Sequence, residues 1–254
     1  MSTFPRVGLF VTCLVDLVRP QVGFAAVKLL EAAGCHVEVP AAQTCCGQPA
    51  WNAGADAHAS DIARQVIDAF EPFDYVVVPS GSCAGMIKRH YPEALDDDPV
   101  YGKRARALAA RTHELIAFLV TVRGLSSVEA SCPAKACYHD SCSSLREMGV
   151  KDEPRRLLAT VEGLSLHELR EPQVCCGFGG LFSVKYPEIS ERMADDKIAD
   201  AEQTGAELLL GGDLGCLLHL TGRITRRGKH LRARHVAEVL AGMSDTPAIG
   251  DPET

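Results

Sequence analysis

QTCCGQPA, residues 43–50, returns in similar form 130 residues later as QVCCGFGG, residues 173–180. Both stretches place glycine directly after two adjacent cysteines, and further cysteines repeat at almost the same spacing. Corresponding cysteines in the two halves are 129, 130, 130 and 133 residues apart: Cys13 and Cys142, Cys45 and Cys175, Cys46 and Cys176, and Cys83 and Cys216. So regular a spacing predicts that the chain consists of two homologous halves.

Each half also repeats the order β-α-β-α-β. The predicted strands are 7–12, 35–40 and 74–80 in the first half, and 135–140, 164–170 and 207–213 in the second. The predicted helices are near 20–33, 55–70, 151–161, 187–204 and 234–242, with a helix near 101–122 linking the halves. Alternation of strands and helices is typical of parallel sheets with right-handed crossovers. The sequence therefore predicts an α/β protein of two pseudo-symmetric halves, residues 1–125 and 126–254, each a small parallel β-sheet flanked by helices.

The composition narrows the class of protein. The 254 residues carry a net charge of -7, which argues against nucleic acid as the main partner. No apolar run approaches the roughly 20 residues that a membrane helix needs, and the N-terminus lacks the features of a signal peptide. We therefore expect a cytoplasmic protein without a membrane span. Eleven cysteines in such a protein indicate metal binding or catalysis rather than disulfide bonds.

The repeated cysteines all follow predicted strands. The carboxyl ends of parallel strands lie at one edge of a sheet, where ligands bind, and helix N-termini there favour thiolates. Glycine lets the backbone turn sharply after each cysteine pair, so that both sulfurs can serve one site. Soft sulfur ligands select zinc, copper(I) or iron–sulfur clusters. The absence of short Cys-x-x-Cys knuckles favours an iron–sulfur cluster over zinc, and the alternative is a zinc-stabilised or dithiol/disulfide redox module without iron.

The chain resembles a known family in several motifs. Each half is similar to the cysteine-rich CCG domain found in the B component of heterodisulfide reductase, and the whole chain resembles the lactate-utilisation A family. The matching motifs are TCLVD (12–16), CCGQPAWNAG (45–54), PSGSC (79–83), YHDSC (138–142), CCGFGGLFSVK (175–185) and HVAEVL (235–240).

The resemblance implies an iron–sulfur electron-transfer subunit of a complex that oxidises L-lactate to pyruvate. It implies two partners, a ferredoxin-like iron–sulfur subunit plus a third small subunit; glycolate or another 2-hydroxy acid would leave the same signature. We expect one cluster in each half, [4Fe–4S] in type, and a non-cubane cluster is not carried over because one cysteine of the family pattern is missing in each half. The expected ligands are Cys13, Cys45, Cys46 and Cys83 in the first half, and Cys142, Cys175, Cys176 and Cys216 in the second.

Several residues outside the eight cysteines have open roles. Met86 and His219 stand where the family pattern has its last cysteine; we interpret Met86 as packing and keep His219 as a candidate extra ligand. His139 and Asp140 are candidates for hydrogen bonds to cluster sulfurs, with a polar strand end as the alternative. Trp51 fits either a lid over the first site or ordinary core packing. The roles of three further cysteines are not assigned by the repeat: Cys35, Cys132 and Cys137.

Overall fold

The computed structural model describes residues 4–251, which form two four-stranded parallel sheets. The first sheet has the order β2-β1-β3-β4 and the second the order β6-β5-β7-β8, so the two have the same topology. The strands are β1 (Arg6–Leu9), β2 (His36–Glu38), β3 (Tyr75–Val78), β4 (Thr112–Glu114), β5 (Ser131–His139), β6 (Glu162–His167), β7 (Leu208–Gly211) and β8 (Arg232–His235). The predicted α/β fold of two similar halves is confirmed.

Helices flank both sheets. The helices of the first half are α1 (Cys13–Val18), α2 (Pro20–Ala32), α3 (Gln48–Asn52), α4 (Asp56–Phe70), α5 (Gly81–Gly85), α6 (Tyr91–Ala94), α7 (Tyr101–Ala110) and α8 (Leu115–Ala117). Those of the second half are α9 (Cys142–Arg146), α10 (Asp152–Leu158), α11 (Leu181–Lys185), α12 (Pro187–Gln203), α13 (Leu214–Arg226) and α14 (Val236–Leu240). Among residues 4–251, no helix is both long and apolar enough to cross a membrane.

The central strands are continuous apolar runs, and they are buried on both faces of the sheet. In β3, YVVV pairs with β1 on one side and β4 on the other, and its three valines are fully buried. LLLG in β7 is buried along its whole length between β5 and β8. Strands buried on both faces read as continuous hydrophobic runs, which explains why the sequence located them.

The predicted helix over 101–122 is wrong. Helix α7 ends at Ala110, and Thr112–Glu114 then form the edge strand β4 beside β3. The chain re-enters a helix as α8 and continues as a π-helical turn, Phe118–Val122. The second half repeats this arrangement, with Arg232–His235 forming edge strand β8 where the predicted helix over 234–242 would begin.

One hydrophobic cluster spans both sheets, and two further clusters lie mainly within one half each. A single cluster of buried side chains takes Leu9 and Leu30 from the first half together with Tyr138, Leu210 and others from the second. The division into domains 1–125 and 126–254 therefore stays a prediction, although the last helical turn of the first half ends at residue 122 and β5 begins at residue 131.

Helices α2 and α14 join the halves at the surface of this core. The Lys28 ammonium donates to the Ala241 carbonyl over 2.7 Å. The Arg19 guanidinium, just before α2, lies 2.8 Å from the fully buried carboxylate of Glu238. Both contacts cross between the halves, and loss of Arg19 would leave the buried carboxylate of Glu238 without its cation, which would be strongly destabilising.

Candidate metal centres

The first cysteine of each half begins a helix at the carboxyl edge of its sheet. Cys13 is the first residue of α1, and the Thr12 hydroxyl caps this helix by accepting from the Val15 N–H over 3.3 Å. Cys142 is the first residue of α9, capped in the same way by Ser141. Side-chain caps of this kind define where a helix starts. They hold both thiols at the same place relative to their sheets.

The last cysteine of each half occupies the third position of another helix. Cys83 lies in α5, which follows β3, and Cys216 lies in α13, which follows β7. Both side chains are buried. Ser80 caps α5, and its hydroxyl accepts from the Cys83 N–H. The first and the last cysteine of each half thus lie on helices that follow two neighbouring strands.

The adjacent cysteine pairs lie in loops that turn at glycine. Gly47 has φ 84° and Gly177 has φ 87°, in the left-handed region that favours glycine. The N–H of each glycine donates back to the first sulfur of its pair, over 3.4 Å to Cys45 Sγ and 3.3 Å to Cys175 Sγ. This turn brings both sulfurs of a pair to one side of the backbone, as the sequence predicted.

In the first half these elements bring all four predicted cysteines together. Cys46 Sγ lies 3.3 Å from Cys83 Sγ, and the Cys45 thiol is in hydrogen-bond contact with those of Cys13 and Cys46. The buried Tyr91 hydroxyl donates to the Cys46 carbonyl over 2.8 Å and fixes the loop. The sulfurs form a continuous chain of contacts in sequence order.

The second half repeats the same chain of contacts. Cys142 contacts Cys175, Cys175 contacts Cys176, and Cys176 contacts Cys216. All eleven cysteines of the protein lie in the described part of the chain, and all are free thiols. The structure therefore places eight reduced sulfurs in two groups of four.

Crowding of thiols separates their pKa values in the first group. Hydrogen bonds from Cys13 and Cys46 lower the pKa of Cys45 to about 2. Contact with Cys45, together with burial, raises the pKa of Cys13, and contacts with Cys45 and Cys83 raise that of Cys46. These contacts thus favour the thiolate of Cys45 over those of Cys13 and Cys46, and the predicted effect of helix N-termini does not extend to Cys13 or Cys46.

In the second group the pKa values of all four cysteines are raised. Contact with Cys175, followed by burial, raises the pKa of Cys142. At each of the other three cysteines, the largest effect is a contact with a neighbouring sulfur that lowers the pKa, but other effects outweigh it. The pKa of Cys175 is raised by contact with Cys176 and by burial, and that of Cys176 by contact with Cys216 and by burial. The pKa of Cys216 is raised by burial. Burial disfavours thiolates unless positive charge accompanies them.

A cavity of about 180 Å³ lies beside the first group, between the halves. The four thiols of the first half line it from one side, and Phe178 and Asp213 of the second half line it from the other. The Asp213 carboxylate accepts from the Ser82 N–H over 3.0 Å and from the Ser80 hydroxyl over 3.2 Å. The cavity gives room for a group larger than one ion against the sulfurs.

The second group has a neighbour that spacing did not single out as a ligand. One nitrogen of His139 and the sulfurs of Cys176 and Cys216 all lie within 4.8 Å of one another, and all three side chains are buried. Burial lowers the pKa of His139 to about 3, so the ring is neutral. The sequence drew attention to His139 because it lies three residues before Cys142, but it suggested a hydrogen bond to a cluster sulfur rather than a metal ligand.

The other candidates have different environments. His219 Nε2 lies 3.3 Å from the Ser190 hydroxyl, and the ring packs against Phe178. The Asp140 carboxylate is held by the Arg155 guanidinium through two hydrogen bonds of 2.9 Å, so the structure gives it an ion pair. Trp51 packs against the core that contains the first thiol group and stacks on His90.

The three cysteines outside the repeat are buried in the hydrophobic core. Cys35 and Cys132 belong to the cluster that joins the two sheets. Cys137 lies on β5, and burial raises its pKa to about 12. These positions suit small apolar side chains, because a buried free cysteine behaves as a small hydrophobe. Met86 is fully buried, in agreement with its interpretation as packing.

The donor set fits a thiophilic metal or cluster. Each half offers four free thiols from three separate strand-to-helix turns, and the second half adds a neutral imidazole without a hydrogen-bond partner among residues 4–251. Thiolate and imidazole are the ligands preferred by zinc and by iron–sulfur clusters. The structure thus contains two preformed candidate metal centres of related geometry.

Known proteins share this arrangement in sequence and in fold. The CCG pattern, described as a cysteine-rich domain, matches residues 7–88 and again residues 136–221. Lactate utilization protein A of Geobacillus kaustophilus is 52% identical over 235 residues, which cover 92% of this chain and 98% of that protein. The protein of the same name from Halalkalibacterium halodurans is 49% identical over 235 residues, covering 92% of this chain and 96% of the relative.

A solved structure shows the same fold at low sequence identity. A hypothetical protein from Helicobacter pylori superposes with a TM-score of 0.69 and 10% identity, covering 97% of this chain and 52% of that one. This chain therefore spans about half the length of that solved protein, and the likeness concerns the fold alone. The two matches to the cysteine-rich pattern and the near full-length relatives agree with the two thiol groups in the structure. The chain belongs to the lactate utilization protein A family, built from two cysteine-rich CCG domains.

Proposed function

We propose that this protein is the iron–sulfur electron-transfer subunit of a cytoplasmic complex that oxidises L-lactate to pyruvate. The observation that carries the proposal is the pair of four-thiol groups at corresponding places in the two halves, in a family whose relatives are named for lactate utilization. Each group would hold one cluster, [4Fe–4S] in type, through the cysteines of its own half. Such a cluster, when bound, accepts and passes single electrons.

The residues around the thiols support an electron-transfer role. Oxidation of lactate removes a hydride equivalent, so a two-electron acceptor has to stand between the substrate and a one-electron carrier. The sequence offers no nucleotide- or flavin-binding motif for that acceptor. The substrate site and the two-electron acceptor therefore belong to partner subunits, and this chain carries electrons away from them.

Exposed apolar side chains beside both thiol groups support contact with partners. A groove of about 340 Å³ reaches Cys13 and Cys45 and is lined by Leu17 and Val39, which are both exposed. Near the second group, α11 and the start of α12 expose Val184 and Ile189. Exposed apolar patches mark interaction sites. We assign them to two partners, a ferredoxin-like iron–sulfur subunit plus a third small subunit.

A metal other than iron is the second candidate. The sulfurs of Cys46 and Cys83 lie 3.3 Å apart. Around one tetrahedral zinc ion, with zinc–sulfur bonds of about 2.3 Å, two sulfurs would lie about 3.8 Å apart. The observed separation is closer to this value than to the longer distance between sulfurs that bind different irons of one cluster. A zinc-stabilised or dithiol module would keep the fold but would carry no electrons through iron. Glycolate or another 2-hydroxy acid is the alternative substrate of the whole complex.

The metal content of anaerobically prepared protein tests the proposal. We expect about eight irons with matching sulfide in each chain, and an electron paramagnetic resonance (EPR) signal after dithionite reduction. Cys46→Ser and Cys176→Ser should each remove about half of this iron, because four ligands hold each cluster. Cys35→Ala is the matched control, since Cys35 is buried away from both groups and should leave the iron unchanged.

Two results would contradict the proposal. Zinc without iron in the anaerobic protein would move it to the structural class. Iron-loaded protein, assembled with its partner subunits, that glycolate reduces and L-lactate does not would keep the electron-transfer role and change the substrate.

A further inference from the structure

The second thiol group contains a buried imidazole that nothing in the fold satisfies. His139 is the last residue of β5 and is 1% exposed. Neither Nδ1 nor Nε2 has a hydrogen-bond partner among residues 4–251. A neutral imidazole has one donor and one acceptor, and a buried polar group left unsatisfied destabilises the folded protein. A histidine kept in such a place calls for an occupant that its ring can bind.

The neighbours of the ring identify the class of that occupant. A ring nitrogen lies within 4.8 Å of the sulfurs of Cys176 and Cys216, which themselves belong to the four-thiol group. Neutral imidazole is the commonest nitrogen ligand of metals and combines with thiolates around zinc and iron. An atom bound to these two sulfurs would therefore be within reach of the ring.

The corresponding place in the first half has no nitrogen. Phe10 precedes Cys13 by three residues, as His139 precedes Cys142; Phe10 directly follows β1, and His139 ends the corresponding strand β5. Phe10 is fully buried and packs against Phe70, with ring centroids 5.5 Å apart. The two thiol groups have corresponding sulfurs, but at this position one has a phenyl ring and the other an imidazole.

The other histidine near the second group already has a partner. His219 Nε2 lies 3.3 Å from the Ser190 hydroxyl, whereas His139 has only the sulfurs beside it. Since His219 stands where the family pattern has a cysteine, the sequence made it a candidate extra ligand. The packing favours His139 instead.

We propose that His139 supplies a nitrogen ligand to the metal group of the second centre, so that the two centres of the protein are chemically different. The first centre is bound by sulfur alone and has Phe10 at the position that corresponds to His139. The second is bound by sulfur and one imidazole nitrogen. This assignment rests on the proposed metal binding by the cysteines of the second half.

Pulsed EPR on the full chain tests the assignment. Cys45→Ser and Cys46→Ser together remove the first centre, and the protein is produced with ¹⁵N-histidine, reconstituted anaerobically with iron and sulfide, and reduced. We expect a directly bonded nitrogen coupling that changes from ¹⁴N to ¹⁵N with the label. His139→Phe, which copies the first half, should abolish this coupling, and His219→Gln is the matched control that should keep it.

Release of iron to a chelator gives a second measurement. Loss of one ligand should speed the release from the second centre about tenfold or more, because even residues that only support metal ligands alter affinity by about that factor. His139→Asn keeps a polar side chain of similar size and serves if His139→Phe fails to fold. The isotope comparison uses the unchanged histidine and does not depend on either variant.

The outcomes separate the inference from the proposed function. Iron bound with a reducible signal but without histidine coupling overturns the ligand assignment and leaves the electron-transfer role intact. A coupling that survives His139→Phe and disappears in His219→Gln also overturns it. A chain that binds no iron at all overturns the proposed function and, with it, the ligand assignment.

Discussion

At the scale of single residues, Glu114 is a carboxyl group that the fold buries almost completely. It is 2% exposed and caps α8, where Oε2 accepts from the Ala117 N–H over 2.9 Å. Burial raises its pKa to about 8, and the carboxylates of Glu153 and Asp213 act in the same direction. The protonated form is therefore the one that the folded protein favours below about pH 8.

This burial predicts a stability that falls with rising pH. Because the folded-state pKa lies above the unfolded value near 4.5, the contribution of Glu114 is fully present below about pH 4.5 and is lost as the pH rises through about 8. Glu114→Gln cannot ionise, so it should remove this loss. We expect the variant to gain up to about 4 kcal/mol over the wild type between pH 5 and pH 9, at about 1.4 kcal/mol for each unit of pKa shift.

Urea unfolding at the two pH values measures the effect. Glu162→Gln is the control, since Glu162 is an exposed residue at the start of β6. A difference between wild type and Glu114→Gln that stays constant from pH 5 to pH 9 would contradict the prediction.

For single residues, the sequence predicted which cysteines lie together better than it predicted the surroundings of His139 and Asp140. The cysteines could be grouped because each follows a strand, and the topology of a parallel sheet brings strand ends together whatever packs around them. The role of His139 depends on what is missing around its ring, and only packing can reveal an unsatisfied nitrogen. The ion pair of Asp140 with Arg155 was hidden for the same reason.

At the scale of elements, the sequence located the buried strands and the edge strands β2 and β6, but it missed the other edge strand of each sheet, β4 and β8. β4 is THE and β8 is RARH, and neither resembles the apolar runs of β3 and β7. These two edge strands are short and polar, so hydrophobic periodicity does not detect them. The last residue of each of these strands has a buried polar side chain that caps the next helix: Glu114 is the N-cap of α8, and His235 is the N-cap of α14, with a capping box.

The turn after each cysteine pair predicts a strict requirement for glycine. At Gly177 an added Cβ would lie 2.6 Å from the Ser190 carbonyl oxygen on α12, and φ is 87°. Gly177→Ala should therefore destabilise the protein by about 2–5 kcal/mol, combining left-handed strain with overpacking, and should lower the iron content of the second half.

Gly205→Ala provides the matched control for this turn. Gly205 has φ 69° but no atom within 4 Å of its added Cβ, so only the strain of about 1–2 kcal/mol applies. Denaturant unfolding and iron analysis measure both variants. Equal losses of stability would show that the contact with α12 is not important.

At the scale of the whole molecule, the halves pack tightly where α5 meets α9. An added Cβ at Gly81 would lie 1.9 Å from the Ser144 hydroxyl oxygen and 2.7 Å from its Cα. Gly81→Ala should push the halves apart and cost about 1–3 kcal/mol, as overpacking does. Gly222→Ala, in helix α13 with its nearest atom 3.7 Å away, should instead stabilise by about 0.5–1 kcal/mol. Thermal unfolding of both variants measures this difference, and a gain in stability for Gly81→Ala would contradict it.

The shared core predicts that the halves depend on each other. Cutting the chain between residues 125 and 126 would expose the cluster that joins Leu9 and Leu30 to Tyr138 and Leu210. We expect residues 1–125 and 126–254, produced separately, to lack a cooperative thermal transition, and co-expression to restore it. Calorimetry of each piece and of the pair measures this. A sharp transition in either isolated half would establish that half as an independent domain.

The order of contacts in the thiol groups also bears on how the protein is made in the cell. The first group is complete only when Cys83 has been synthesised, and the cavity beside it is walled on its other side by Phe178 and Asp213 of the second half. A growing chain on the ribosome therefore exposes Cys13, Cys45 and Cys46 as reactive thiols long before their pocket can close. Insertion of the metal should follow release of the finished polypeptide, and the nascent chain should be most vulnerable to oxygen during that interval.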